Sequence, residues 1–174
     1  MRVRTDFHTL WTTKLSLQER KRMTDAPMQD ATTGFQVVNT RRLPFTQQQV
    51  FQAFADPDQL MIWWGPEGFT NRFQTFDLRI GGQWLFTMIN DTGKMFDNVK
   101  EFLEIEAPEK IVFRHLEPMH DFVMTILTEA VGAHCDLTWI MDFVPGSDAD
   151  MEPFLHNANE QNFDRLEAHL TNTL

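Results

Sequence analysis

The sequence predicts an α+β domain in which a curved antiparallel sheet wraps around a long C-terminal helix, with two short helices after the first strand. Three observations carry this. Apolar stretches of strand length alternate with turn signals from residue 95 to residue 143. One long helical pattern follows Pro145-Gly146-Ser147. The order of strands and helices contains no internal repeat and no parallel βαβ unit.

Each element has its own local cause. Residues 35–43 read as a strand that Pro44 breaks. Thr46-Gln47-Gln48-Gln49 fits a capping box for a helix over Val50 to Phe54. Asp56 suits the N-cap of a second short helix and Pro57 its first position, where a missing N–H is harmless. Trp64-Gly65-Pro66 ends that helix, because the residue before a proline is pushed out of the α region. A rigid aromatic loop follows, and Gly81-Gly82 provides positive φ or a bulge as the chain turns into Trp84, Phe86 and Met88 at period two. Strands are then expected over 95–105, after the turn Asp91-Thr92-Gly93, and over 110–116, after Ala107-Pro108-Glu109. Two more, over 122–129 and 135–143, flank the hairpin signal Val131-Gly132-Ala133. The last helix begins between Asp150 and Pro153 and runs to about residue 171.

The bulk numbers narrow the function classes. A chain of 174 residues fits one domain able to bury about 70% of its unfolded surface without staples. Cys135 is the only cysteine, so no intramolecular disulfide and no cysteine-built metal cluster is possible. No apolar run approaches the ~18 residues of a membrane span. Residues 1–22 hold six basic and two acidic side chains, a net of +4, so with −10 overall the remainder carries −14. A domain that acidic repels phosphate backbones, and nucleic acid is not an expected partner. Sixteen Phe, five Trp and no Tyr fill a core and leave no phenol for chemistry. Residues 1–34 read as a basic, polar extension, with a capping box at Ser16-Leu17-Gln18-Glu19, a linker over 25–34 and an alternative start at Met23; the domain is expected over 35–174. The lack of an apolar signal region points to a cytoplasmic protein.

Strand parity selects the inward faces. Leu137, Trp139, Met141 and Phe143 alternate with Asp136, Thr138 and Asp142. Phe122, Met124 and Ile126 form a second inner set, and Ile111, Phe113 and His115 a third with Arg114 outward. Over 95–105 parity gives two answers: with Leu103 and Ile105 inward Glu101 is inward too, and with Phe102 inward Glu101 is solvated. The C-terminal helix carries an apolar stripe at Leu155, Phe163, Leu166 and Leu170, with Asn159 in its gap and Asn162 three residues on. Asn159 is expected to orient a ligand's polar atom near Trp84, Phe113, Met124 or Trp139, and Asn162 to sit at a wet edge or bond to nearby backbone. His115-Leu116-Glu117-Pro118-Met119-His120 has metal-ligand residue types but the spacing of neither a helical nor a closed zinc site, so no metal is expected. Cys135 reads as a buried small hydrophobe, and no phosphate loop, dinucleotide fingerprint or nucleophile elbow is present.

The block from Asp56-Pro57-Asp58 through Trp63-Trp64-Gly65-Pro66-Glu67-Gly68-Phe69 to Asp77-Leu78-Arg79-Ile80-Gly81-Gly82-Gln83-Trp84 resembles the activator of heat-shock-protein-90 ATPase homologue (AHSA-type) family, a branch of the START-like (SRPBCC, birch-allergen-like) superfamily. Arg41, Val50 to Phe54, Asn98 to Val112 and Phe163 to Leu170 continue the likeness. One departure stands out: Ala158-Asn159 occupies the place of the family's usual Gly-Trp or Gly-Gly pair. The resemblance implies a helix-grip fold whose sheet and C-terminal helix enclose a mostly apolar pocket. The expected activity is binding of a small hydrophobic or amphipathic molecule, without a cofactor, by Trp84, Phe86, Phe113, His115, Met124, Trp139, Asn159 and Phe163. A weak homodimer is left open. An enzyme of the cyclase or hydrolase type, using His115, Glu101 and Asn159, is the second reading, and no catalytic residue is assigned. A chaperone-activator role ranks third, since a 34-residue leader is short for the further N-terminal domain of the eukaryotic activators.

Overall fold

A computed structural model of the chain describes residues 34–117 and 120–173. The N-terminal extension, and Pro118 and Met119 of the histidine-containing segment, lie outside the described residues. The elements run β1 (Gln36–Leu43), α1 (Gln47–Ala55), α2 (Pro57–Trp63), β2 (Thr70–Phe76), β3 (Gln83–Ile89), β4 (Met95–Glu106), β5 (Lys110–Glu117), β6 (Phe122–Val131), β7 (His134–Phe143), a 3-10 turn (Ala149–Met151) and α3 (Glu152–Thr173). The strands form one curved antiparallel sheet of seven in the order β1-β7-β6-β5-β4-β3-β2. Helix α3 lies mainly on β1 and also meets α1 and α2.

The expected local signals act as written. Thr46 and Gln49 form the reciprocal capping box of α1. The Asp56 carboxylate accepts from the Asp58 N–H at the start of α2, with Pro57 in the first turn. Gly65 has φ 96°, where an L side chain is strained, and a Cβ there would stand 2.8 Å from Met88 Cε. At Gly82 the demand is steric instead: a Cβ would lie 2.0 Å from the Asp77 carbonyl oxygen.

Two features differ from the sequence reading. The aromatic loop after α2 gives way to an edge strand, β2, paired only with β3. A register shift between Phe73 and Thr75 breaks its alternation, so a period-two pattern is absent from the sequence. The parity of β4 is also settled by an irregularity. Phe102 faces Phe113 and Glu104 faces Val112, leaving Leu103 bulged and 42% exposed. Phe102 and Ile105 therefore both reach the core, and Glu101 lies outside, near Arg114. The core joins β-sheet and helices through Trp63, Trp84, Trp139, Phe86, Phe113 and Phe163, all under 2% exposed or close to it.

Candidate functional site

Once Phe102 points inward, the alternation of β4 carries Lys100 and Asn98 inward with it. Lys100 is 3% exposed. Its strand neighbours are Trp84 on β3 and His115 on β5, directly opposite in register. The Lys100 Nζ lies 4.3 Å from the ring centroids of Trp64 and Trp84, 4.6 Å from Phe113 and 4.9 Å from Phe86. Trp64 comes from the C-cap of α2, so the cage closes over β3, β4 and β5 from the helical side. Among the described residues no carboxylate and no hydrogen-bond acceptor meets the amine.

Burial pushes the Lys100 ammonium well below its ordinary pKa of 10.5. The ring faces oppose this, each contributing about 0.5–2 kcal/mol to the cation. An ion taken from water into a protein interior loses several kcal/mol, so aromatic faces offset the cost in part and leave the amine inclined to shed its proton.

Two further donors share this interior. The indole N–H groups of Trp84 and Trp139 are buried and have no acceptor among the described residues. Trp63 does not share that fate, since its Nε1–H donates to the Ala53 carbonyl at 3.0 Å. Trp64 links the unpartnered pair, with its ring centroid 4.9 Å from Trp84 and 5.2 Å from Trp139. A cavity of about 10 Å³ sits among Phe54, Trp64, Trp84, Phe113 and Ile126, room for about one water. Aromatic side chains supply most of the lining of this space.

The remaining predicted residues take distinct places. His115 is 6% exposed and stacks on Phe122 with centroids 4.7 Å apart. Met124 and Trp139 lie on the inner faces of β6 and β7, and Phe163 of α3 meets Trp139 edge-on at 5.0 Å. Asn159 is buried, yet its amide is already engaged. Its Nδ2 donates to Asn39 Oδ1 at 3.0 Å and approaches Met141 Sδ at 3.4 Å. The amide is thus taken up by β1 rather than left for a ligand, and Asn39, the register partner of Trp139, also reaches α3 through His156 O and Glu160 Oε1. Asn162 bonds to backbone as expected, accepting from the Gly65 N–H at 2.7 Å and donating to Ala158 O at 2.9 Å.

Two residues of consequence were not singled out from the sequence. Lys100 had a signal, because an inward Phe102 implies an inward residue 100. Arg165 had none. Its guanidinium donates to the carbonyls of Ile62, Gly65 and Pro66 at 2.8, 2.8 and 3.0 Å, and to Trp64 O at 3.3 Å. These are carbonyls at and just beyond the end of α2, so Arg165 and Asn162 together hold the segment that places the Trp64 ring over Lys100. Among the described residues no cluster of three or more His, Cys, Asp or Glu could hold a metal ion. Likewise, among those residues no helix is long and apolar enough to cross a membrane.

Residues 44–171 match the model of the family described as Activator of Hsp90 ATPase homolog 1-like protein. The chain belongs to that family. Its AHSA1 fold recurs in solved structures at low identity. A protein from Rhodobacter sphaeroides superposes with a TM-score of 0.73 at 17% identity, covering 85% of this chain and 97% of its own. A solution structure from Arthrobacter aurescens gives 0.72 at 22% identity, covering 83% and 90%. The AHSA1 protein from Silicibacter pomeroyi gives 0.67 at 19% identity, covering 79% and 98%. Among curated proteins none matches the sequence. The solved structures fix the helix-grip fold, and the AHSA1 family is the level at which this chain is placed.

Proposed function

We propose that the protein binds a small hydrophobic or amphipathic molecule between the sheet and α3. Trp84, Phe86, Phe113, His115, Met124, Trp139 and Phe163 would form its walls, with Asn159 bracing α3 against β1 at their margin. One observation carries the reading: the aromatic interior holds two buried donors, the indoles of Trp84 and Trp139, for which the described residues supply no acceptor, beside a Lys100 amine faced by four rings. Buried donors without partners cost about 1–3 kcal/mol each, and an acceptor-bearing ligand would recover that loss. Binding at this place requires the cage rings to move aside, because a cavity of about 10 Å³ admits no organic molecule. Native mass spectrometry of the purified protein, together with tryptophan-fluorescence titration by a hydrophobic dye, tests this. A retained small molecule or saturable one-site quenching is expected. Finding neither would remove the binding reading.

A further inference from the structure

We infer that the molecule bound in this interior carries a carboxylate that pairs with Lys100, and that its binding takes up a proton. The inference rests on the binding reading and names the ligand's polar group. A neutral carbonyl or hydroxyl oxygen would satisfy the indoles of Trp84 and Trp139, but Lys100 makes a stronger demand. Four π faces stand around its Nζ at 4.3 to 4.9 Å, an arrangement suited to a cation, while the described residues offer no anion. The site is built for a charge it cannot hold alone. A carboxylate supplies the missing countercharge in a low-dielectric setting, where the pair attracts far more strongly than in water. Lysine presents a compact charge with three donors, which suits a carboxylate reached past ring edges.

The proton follows from the same geometry. Without an anion the buried amine is depressed by desolvation. Beside a carboxylate it is held as the ammonium, so whatever fraction of the amine is neutral in the free protein gains a proton on binding. Few other groups face this position. His115 on β5 is the adjacent titratable side chain, β3 presents Trp84 and Phe86, and β4 itself presents Asn98 and Phe102. On α3, Arg165 is turned to the carbonyls of Ile62, Trp64, Gly65 and Pro66. His115 is therefore the group whose protonation must be separated from that of Lys100.

The test uses two matched pairs of probes on the full chain: 2-naphthoate against 2-acetylnaphthalene, and decanoate against undecan-2-one. Each pair exchanges a carboxylate for a methyl ketone of similar shape. Calorimetric titration at pH 8 in phosphate and in Tris reads affinity and proton uptake together. At least one acid is expected to bind tenfold or more tightly than its ketone, with net proton uptake. Lys100→Met should abolish both the preference and the uptake while the ketone still binds. His115→Gln should leave the uptake in place. Equal affinity for acid and ketone would overturn the carboxylate assignment and leave the binding reading standing. So would a preference for the acid that survives in Lys100→Met. Loss of uptake in His115→Gln, or none in the unaltered protein, would overturn the proton step. Binding of no probe by either route would overturn the binding reading itself.

Discussion

Lys100 and Asn159 are both polar residues on apolar faces, and their surroundings give them opposite fates. Lys100 meets rings and no acceptor, so its burial is a cost to the folded state. Its folded pKa lies below the unfolded value, so the unfolded chain binds more protons in between. The cost is therefore full below the folded pKa and is relieved as pH rises through 10.5. Lys100→Met should stabilise the ligand-free protein by about 1–4 kcal/mol near neutral pH. Urea unfolding at pH 7 and above pH 10 checks this, and a gain that did not shrink at high pH would contradict it. Asn159, by contrast, bonds to Asn39 across 120 residues of sequence. Asn159→Leu should destabilise by about 1–3 kcal/mol, because Asn39 Oδ1 loses its donor. A higher unfolding midpoint in that variant would show the Asn39 contact to be dispensable. The sequence marked Asn159 as a break in the stripe, but the group filling the break comes from β1, which no local pattern on α3 encodes.

At the scale of elements, the end of α2 is the joint on which the site depends. Asp56 and Pro57 start that helix and Gly65 ends it, all legible from local chemistry. What fixes the exit is remote: Arg165 and Asn162 of α3. Arg165→Lys should lower stability by about 1.5–3 kcal/mol, because a single ammonium cannot serve four carbonyls as the planar fork does. The urea midpoint and the exposure of Trp64 to quencher report it, and no change in either would mean the clamp is idle. Gly65→Val should cost about 1–3 kcal/mol, since valine would take a positive φ against Met88. Retention of the wild-type thermal midpoint in Gly65→Val would remove that requirement. Helix α3 is anchored on its other side by Arg41, which reaches Asp164 at 2.6 Å and Glu160 at 2.7 Å and lies over Phe163. The pair of helices after β1 was readable from caps. Strand β2 was not, because its register shift breaks period two.

At the scale of the whole molecule, two partly desolvated histidines are expected to weaken the described fold in acid before its carboxylates do. Burial lowers His169 and His120 from 6.5, with Asp56 and Asp148 respectively acting against the shift. The unfolded chain therefore takes up these protons first, and stability should fall as pH drops below about 6.5. Asp56, Asp121 and Asp136 are depressed from 3.8 by their hydrogen-bond partners, and their loss adds only at lower pH. Thermal midpoints from pH 7.5 to 5 should decline, by less in His169→Gln. A flat profile over that range would show that neither histidine is desolvated in the fold.

The sequence by itself determined what short-range chemistry controls. Thr46 to Gln49, Asp56-Pro57, Gly65, Gly81-Gly82 and Gly132 set the starts, stops and turns, and period two set the inner faces of β5, β6 and β7. Each depends on residues a few positions apart, so the pattern survives in one dimension. The tertiary structure decided the rest. A bulge at Leu103 chose between two parities for β4 and so turned Lys100 rather than Glu101 inward. Two strands and a helix end then brought four rings to one amine on a third strand, and α3 found Asn39 and residues 62–66 as partners. Those choices compare whole registers and packings, and their free-energy differences are made by neighbours far apart in the chain.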